Sequence, residues 1–204
     1  MICLIELHNS SISILFCLAR KAITAPTNMA AKVIVNELFP DSTITLALFR
    51  NVENVKEIRQ CVMNGTFEAA ILKTSMIVDP FQVIVAANKA VHQNKVGKMM
   101  TKNVHSEILF NLSPSKNISD SFRKFGAGDT DQSVFIAVVD DKTGQTLKAI
   151  QNTVKGQQVD VDEVKQLSDL NNIKKIYKLT DAEFSWSPLD ALVTRIAAKD
   201  IMTI

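Results

Sequence analysis

Residues 76–97, MIVDPFQVIVAANKAVHQNKVG, constrain the fold of this chain more than any other stretch. Asp79 followed by Pro80 is a helix-start signal. An aspartate at the N-cap accepts an amide hydrogen, and proline at the first helical position gives up only a donor without an intrahelical acceptor. The following positions are almost all apolar, and a helix that is apolar on every side is buried. The stretch therefore predicts a buried helix over 79–96, ended by Gly97.

Length and composition indicate a single domain. The chain has 204 residues, of which 47% are hydrophobic, and this length fits one domain. No apolar run reaches the roughly 18 residues of a membrane-spanning helix, so we expect no membrane partner. Three cysteines without CxxC or metal-ligand spacing indicate a reducing compartment, and we expect the protein in the cytosol and nucleus. A net charge of +2 allows a nucleic-acid partner without indicating one.

The first 28 residues differ from the rest of the chain. They contain an apolar patch at 12–19, but the segment before it lacks the lysine or arginine of a secretory signal. A poor signal peptide, an isoform-specific extension and a non-native leader from an upstream start codon all remain open. An ordinary Met-Ala-Ala start at residue 29 favours the last two. We expect residues 1–28 to be poorly ordered and the folded domain to span 29–204.

Several stretches have the pattern of β-strands. Residues 32–38 and 43–49 predict two strands of an antiparallel hairpin, and the second shows the alternation of a half-buried strand. The apolar runs EILFNL (107–112) and SVFIAVV (133–139) predict buried strands. Residues 67–75 fit a strand or a helix equally well.

Helical patterns occupy much of the remaining chain. Helices are predicted after Asn51, from Asn117 to Gly126, over 146–154, from Asp160, around Ile173 to Tyr177, and from Ser187. Together with the strands they predict an α/β fold: a single domain with a mixed, mainly antiparallel sheet of about four strands, packed with helices.

Catalytic and cofactor motifs are missing from the sequence. It contains no GxxxxGK[ST], GxGxxG, HExxH or GxSxG, so we expect no enzyme, no cofactor and no metal. Asp79 is interpreted as a helix cap and His92 as a surface or hydrogen-bonded histidine. The alternative is a small α/β enzyme whose dispersed active site lies around Asp79, His92 and Asn111.

One segment stands out by its charge. Between Pro80 and Ser106 there is no acidic residue, but there are two histidines and four lysines: Lys89, Lys95, Lys98 and Lys102. Such lysines could contact phosphates, with an affinity that weakens as salt rises. The alternative is a solvated helix end, where cations complement the helix dipole.

The last predicted helix has a second candidate surface. Arg195 and Lys199 flank its apolar stripe, and Trp186 comes just before it. An exposed part of this stripe would be a docking face for a partner, and a covered one would belong to the core. The sequence leaves both open.

Several long motifs are distinctive enough to compare with known families. They are ELFPDSTITLALFRNV (37–52), IVDPFQVIVAANKAVHQNKVGKM (77–99), EILFNLSPSKNIS (107–119), VKGQQV (154–159), IKKIYKLT (173–180) and LDALVTRIAAKDI (189–201). They resemble the family of PRPK-binding subunits of the EKC/KEOPS complex. The resemblance runs from about Met29 to the C-terminus and does not cover residues 1–28.

The resemblance implies a function and two sets of site residues. It implies a non-catalytic subunit that binds the PRPK kinase and helps recruit tRNA, by its unpaired 3′ CCA end, for threonylcarbamoyladenosine modification next to the anticodon. For tRNA, phosphate contacts and hydrogen bonds to an unpaired nucleotide are expected from Asn88, Lys89, His92, Lys95, Lys98, Asn111, Ser113 and Asn117. For the kinase, contacts are expected from Ile173, Tyr177, Leu192 and Arg195.

Overall fold

A computed structural model describes residues 31–36 and 39–201. Within them lie five strands: β1 (Ala31–Val35), β2 (Thr43–Arg50), β3 (Ala70–Lys73), β4 (Ser133–Val139) and β5 (Gln157–Val159). The strand pairs are antiparallel, in the order β1-β2-β4-β3, and β5 pairs with the last residues of β2, beyond the end of β1. The predicted α/β fold with a mainly antiparallel sheet is confirmed. β5 is the strand that the sequence pattern did not reveal.

The same ranges contain eight α-helices: α1 (Val55–Met63), α2 (Pro80–Lys95), α3 (Val104–Leu112), α4 (Ile118–Phe125), α5 (Gln145–Thr153), α6 (Leu170–Tyr177), α7 (Asp181–Trp186) and α8 (Pro188–Ala198). Two 3₁₀ turns, Thr74–Met76 and Val161–Gln166, complete the secondary structure. None of the described helices is both long enough and apolar enough to cross a membrane.

The sheet is the middle layer between two helical layers. β2 shows this best, because Ile44, Leu46 and Leu48 pack into the core on one face and Ala47 and Phe49 into the core on the other. Helices α2, α3, α6 and α8 cover the first face, and α1 and α5 cover the second. The expectation that β2 is half-buried is therefore wrong, since a central strand covered on both faces has no solvent side.

The hairpin of β1 and β2 is confirmed, with Ile34 opposite Ile44 and Val35 opposite Thr43. Residues 37 and 38 of the predicted first strand lie outside the described residues, as does the expectation for residues 1–28. The run at 133–139 is β4, as predicted. Residues 67–75, left open by the sequence, contain β3.

Helix α2 forms as its sequence predicts. Asp79 Oδ1 accepts a hydrogen bond of 2.9 Å from the Phe81 amide, Pro80 is the first helical residue and Lys95 the last. Gly97 follows with a φ of 67°, a left-handed conformation that glycine adopts without strain. The helix is buried over most of its length, so α2 is the helix around which the first layer packs.

The strand predicted at 107–112 is wrong, because these residues belong to α3. The helix begins upstream of the apolar run, where Asn103 Oδ1 accepts from the Ser106 amide at 2.8 Å and Ser106 Oγ accepts from the Asn103 amide at 3.2 Å. This reciprocal capping box fixes the helix start. Ile108 and Leu112, four residues apart on one helix face, are then both fully buried.

Two predicted helix starts are also wrong. Asn51 has a φ of 53° and α1 begins at Val55, because the chain before it bonds to the sheet and the strand loops: the Val52 amide donates to Gln132 O at 2.9 Å. Asp160 caps a 3₁₀ turn instead of an α-helix. The helices predicted from Asn117, over 146–154, around 173–177 and from Ser187 are confirmed to within a residue or a few. The sequence pattern missed α7.

Candidate RNA-facing and partner-facing surfaces

The C-terminal end of α2 carries an exposed group of side chains that contact one another. His92 and Lys95 are both exposed and, being three residues apart, share a helix face. The His92 ring stacks on the Phe39 ring of the β1–β2 turn, with centroids 6.1 Å apart and planes at 25°. Lys95 Nζ lies 4.6 Å from the centroid of the same Phe39 ring. We call these three residues the basic stack.

The loop after α2 extends the positive charge of the basic stack. Lys98 and Lys102 are exposed there. The first acidic residue after them, Glu107, is fully buried, and its carboxylate accepts hydrogen bonds from the Met100 and Thr101 amides at 2.8–3.2 Å. The segment from 80 to 106 therefore presents cations and no carboxylate of its own to solvent.

Lys89 lies deeper than the sequence prediction assumed. Its ammonium is buried and donates to Ile196 O at 3.1 Å, at the end of α8, while it pairs with Asp200 at 3.0 Å. Burial lowers the pKa of Lys89, and Asp200 opposes that shift. The ammonium is thus committed to the helix end of α8, which leaves it no open side for a phosphate.

Lys199 makes a similar contact nearby. It is 2% exposed, donates to Phe110 O in α3, and its ammonium lies 3.2 Å from the centroid of the Phe110 ring. Burial, followed by the neighbouring Lys89 charge, lowers the pKa of Lys199 to about 7. Two lysines therefore hold the end of α8 against α2 and α3.

Two of the three predicted asparagines of the tRNA set, Asn88 and Asn111, are internal. Asn88 Oδ1 accepts from Asn36 Nδ2 at 2.8 Å, which ties α2 to the end of β1. Asn111 is fully buried and donates to Gln93 Oε1 at 2.8 Å, while its own Oδ1 has no hydrogen-bond partner among the described residues. Asn88, within α2, and Asn111, in α3, thus fix the position of α2 through internal hydrogen bonds.

The remaining two members of the predicted set lie in the turn between α3 and α4. Ser113 is buried and its Oγ accepts from the Ser115 amide at 3.1 Å. Asn117 is exposed and caps α4, with Oδ1 accepting from the Asp120 amide at 2.9 Å. The structure thus brings His92 and Lys95 together in the basic stack, with Lys98 in the loop that follows. It places the other members of the set in the interior or in a separate turn.

The alternative active site is not assembled. Asp79 and His92 lie at opposite ends of α2, 13 residues or about 20 Å apart at the rise of an α-helix, and Asn111 is buried. The Asp79 carboxylate already caps α2 and pairs with Lys165 Nζ at 2.8 Å. Among the described residues, no group of three or more histidines, cysteines or acids is placed to hold a metal.

The predicted kinase contacts lie mainly in the core. Ile173, Tyr177 and Leu192 have no exposed surface. The Tyr177 hydroxyl donates to Leu112 O and accepts from Gln82 Nε2 at 3.3 Å, and burial raises its pKa. Arg195 is only 14% exposed in its side chain and pairs with Glu183 at 3.0 Å. Three of the four residues therefore hold α6 and α8 in place and offer a partner no surface.

Sequence reasoning did not single out Phe39. The sequence shows only one large aromatic side chain in a polar turn, beside Pro40 and Asp41. A single apolar residue gives no hydrophobic periodicity from which a contact could be predicted. Its contacts with α2 join positions more than 50 residues apart in the chain, so only the fold reveals them.

Comparison with known proteins gives the class of this one. The sequence model of the family described as "Kinase binding protein CGI-121" matches residues 49–200. Since this match covers most of the chain, the protein belongs to the CGI-121 family of kinase-binding proteins, and the family indicated by the sequence motifs is confirmed.

The names of individual relatives are more specific than the description of the family. The chain is 46% identical over 168 residues to the EKC/KEOPS complex subunit TPRKB of Danio rerio, across 81% of this chain and 95% of that protein. It is 37% identical over 144 residues to the EKC/KEOPS complex subunit cgi121 of Aspergillus fumigatus, across 67% of this chain and 76% of that protein. It is also 27% identical over 168 residues to the cgi121 subunit of Schizosaccharomyces pombe.

Proposed function

We propose that this protein is a non-catalytic subunit of the EKC/KEOPS complex, active in the cytosol and nucleus. In this proposal it binds the PRPK kinase and helps recruit tRNA, by its 3′ CCA end, for threonylcarbamoyladenosine modification next to the anticodon. The family, described as kinase-binding, and the relatives named as EKC/KEOPS subunits support the kinase and complex parts.

The basic stack is the observation that carries the RNA part. Unpaired bases bind proteins by stacking on aromatic rings, and their phosphates bind cations in a salt-dependent manner. Phe39 and His92 supply two stacked rings, with Lys95 Nζ over the Phe39 ring and Lys98 close behind in sequence. An aromatic platform surrounded by lysines suits single-stranded RNA, whose bases are free to stack.

The other predicted residues take different parts in this proposal. Asn88, Lys89 and Asn111 position α2, through their contacts with β1, α8 and Gln93. Asn117, exposed in the α3–α4 turn beside the buried Ser113, is left as a second point of contact for the RNA backbone. The phosphate contacts themselves fall to Lys95 and Lys98.

Binding of a labelled single-stranded oligonucleotide ending in CCA, measured across a salt series, tests the RNA part. Replacing Lys95 and Lys98 with alanine removes two phosphate contacts, so the slope of log K against log salt should become shallower by about 1.4. Lys56→Ala, on the exposed face of α1 in the opposite layer, is the matched control and should leave the slope unchanged.

Phe39→Leu separates stacking from charge in the same assay. It keeps an apolar side chain but removes the ring, so affinity should fall about fivefold or more with the salt slope preserved. An identical slope for the wild type and the double lysine variant, or full affinity without the Phe39 ring, would remove the basic stack from the proposal.

A further inference from the structure

The end of β4 is bound by a side chain and not by a strand. β3 begins at Ala70, opposite Ala137, so β4 extends beyond β3 as far as Val139. There the Val139 amide donates a hydrogen bond of 3.0 Å to Nε2 of His105, in the first turn of α3. A strand amide that has no neighbouring strand needs another acceptor, and here an imidazole supplies it. We call this hydrogen bond the histidine latch.

The histidine latch requires a neutral imidazole. Nε2 accepts the Val139 hydrogen only while it carries no proton of its own, so the ring proton of neutral His105 lies on Nδ1. His105 is buried, and its Nδ1 has no hydrogen-bond partner among the described residues. A second ring proton, on Nε2, would set two donors against each other and leave the Val139 amide without this acceptor.

Two carboxylates from neighbouring segments face the ring. Glu68, just before β3, has a carboxylate oxygen 3.9 Å from Nδ1, and Asp140 directly follows β4. On α3 itself, the Glu107 carboxylate is occupied by amides of the preceding loop. Burial lowers the pKa of His105, and Glu68 and Asp140 oppose that shift. The folded protein therefore holds the ring neutral at neutral pH, with Glu68 in place to pair with the imidazolium that acid produces.

We propose that the histidine latch is a pH-sensitive device that supports the basic stack. It is closed while His105 is neutral, and it opens when Nε2 takes a proton, which frees the start of α3 from β4. The loop with Lys98 leads into α3, and Asp140 exchanges two hydrogen bonds, of 2.8 and 3.0 Å, with Thr43. Thr43 directly follows the turn that carries Phe39. In this inference, which rests on the proposed RNA binding, acid loosens both attachments and so weakens the binding of RNA.

The closed latch has a spectroscopic signature in the intact chain. In ¹⁵N-labelled protein at about pH 7.5, we expect a scalar coupling between the Val139 amide nitrogen and Nε2 of His105, and a ring proton on Nδ1. The chain has three histidines, so His8→Gln and His92→Gln assign the His105 signals by elimination. The coupling should vanish as acid protonates Nε2. A ring proton on Nε2 at pH 7.5, or no coupling there, would overturn the inference.

Folding stability gives a second test with a definite sign. The unfolded chain takes up a proton on His105 below about pH 6.5, whereas the folded chain, in which the pKa is lower, does not. The equilibrium constant of unfolding should therefore increase as the pH falls from about 6.5, by up to about tenfold per pH unit. His105→Gln, whose amide oxygen can accept from Val139 without titrating, should lose this increase, and His92→Gln should keep it. An equal increase in the His105 variant would contradict the latch.

RNA binding distinguishes failure of the latch from failure of the proposed function. Any charge that acid adds to His92 is common to the wild type and His105→Gln, so the ratio of their affinities for the oligonucleotide ending in CCA isolates His105. From about pH 7.5 to 5.5, the wild type should lose about fivefold relative to the variant, as its binding-competent fraction falls. A constant ratio between two proteins that bind RNA would overturn the regulatory role alone. No RNA binding by the wild type at either pH would defeat the proposed RNA binding as well, and the coupling would still decide whether the latch exists.

Discussion

The C-terminal end of α2 and residues 179–194, which we call the tryptophan corner, differ in the charge of their sequences. The segment from 80 to 106 has lysines and histidines but no acid, while the segment from 179 to 194 has acids but no lysine or arginine. Each presents an aromatic group, Phe39 with His92 in one case and Trp186 in the other. A net charge of +2 conceals this separation. Two acids of the second segment are paired with cations outside it, Asp181 with Lys174 and Glu183 with Arg195, so the two segments differ more in sequence than in surface charge.

Not every cation of the basic segment takes part in this contrast. Lys95 and Lys98 are exposed, but Lys89 is buried with Lys199, a lysine from beyond the segment, against the ends of α8 and α3. These two lysines act within the protein, where Lys89 of α2 bonds to the end of α8 and Lys199 joins the end of α8 to α3. The same residue type is thus exposed to solvent at one position and holds the fold together at another.

The largest expected effect separates the tryptophan corner from the core beneath it. Tyr177→Ala removes a fully buried ring that bonds to α2 and α3, so the free energy of unfolding should fall by about 3–5 kcal/mol. Trp186→Ala should change stability by less than about 0.5 kcal/mol, as exposed substitutions do. Chemical denaturation of both variants measures this, and a kinase-binding defect in a fully stable Tyr177 variant would contradict the assignment of Tyr177 to the core.

The last expected effect concerns the buried lysines and is spread over several pH units. The pKa of Lys199 is about 7 in the folded protein and ordinarily 10.5, so the unfolded chain binds more protons between these values. Stability should therefore rise with pH from about 7 to 10, by at most about 1.4 kcal/mol per pH unit, and this contribution should be flat below pH 7. Lys199→Met should flatten the rise, and Lys175→Met, at an exposed position of α6, should not. An unchanged slope in the Lys199 variant would show that its ammonium is not desolvated.

The sequence predicted elements whose signals are local. Helix α2 follows from Asp79, Pro80 and the apolar run after them, all within one stretch. The run at 107–112 was wrongly predicted as a strand because six apolar-rich residues fit a strand or a helix equally well. The helix cap at Asn103, which decides between them, lies outside the run. β5 escaped prediction because its three residues form a strand only by pairing with the end of β2.

The candidate sites were harder to predict than the fold. A helical stripe such as Ile173 to Tyr177 shows which residues share a face, but not whether another helix covers that face, and here it is covered. Lys89 and Lys95 carry the same side chain on one helix, and their different roles depend on α8, which lies about 100 residues further along the chain. Phe39 joins the basic stack only through folding. Trp186, by contrast, stood out by composition alone.

Formation of a ternary complex tests most directly whether RNA binds at the basic stack without displacing the kinase. Native mass spectrometry of this chain, the kinase and an oligonucleotide ending in CCA should show a complex with one copy of each. The variant with Lys95 and Lys98 replaced by alanine should retain the kinase and lose the oligonucleotide. Displacement of the kinase by the oligonucleotide would contradict this account, because it would mean that both partners compete for one surface.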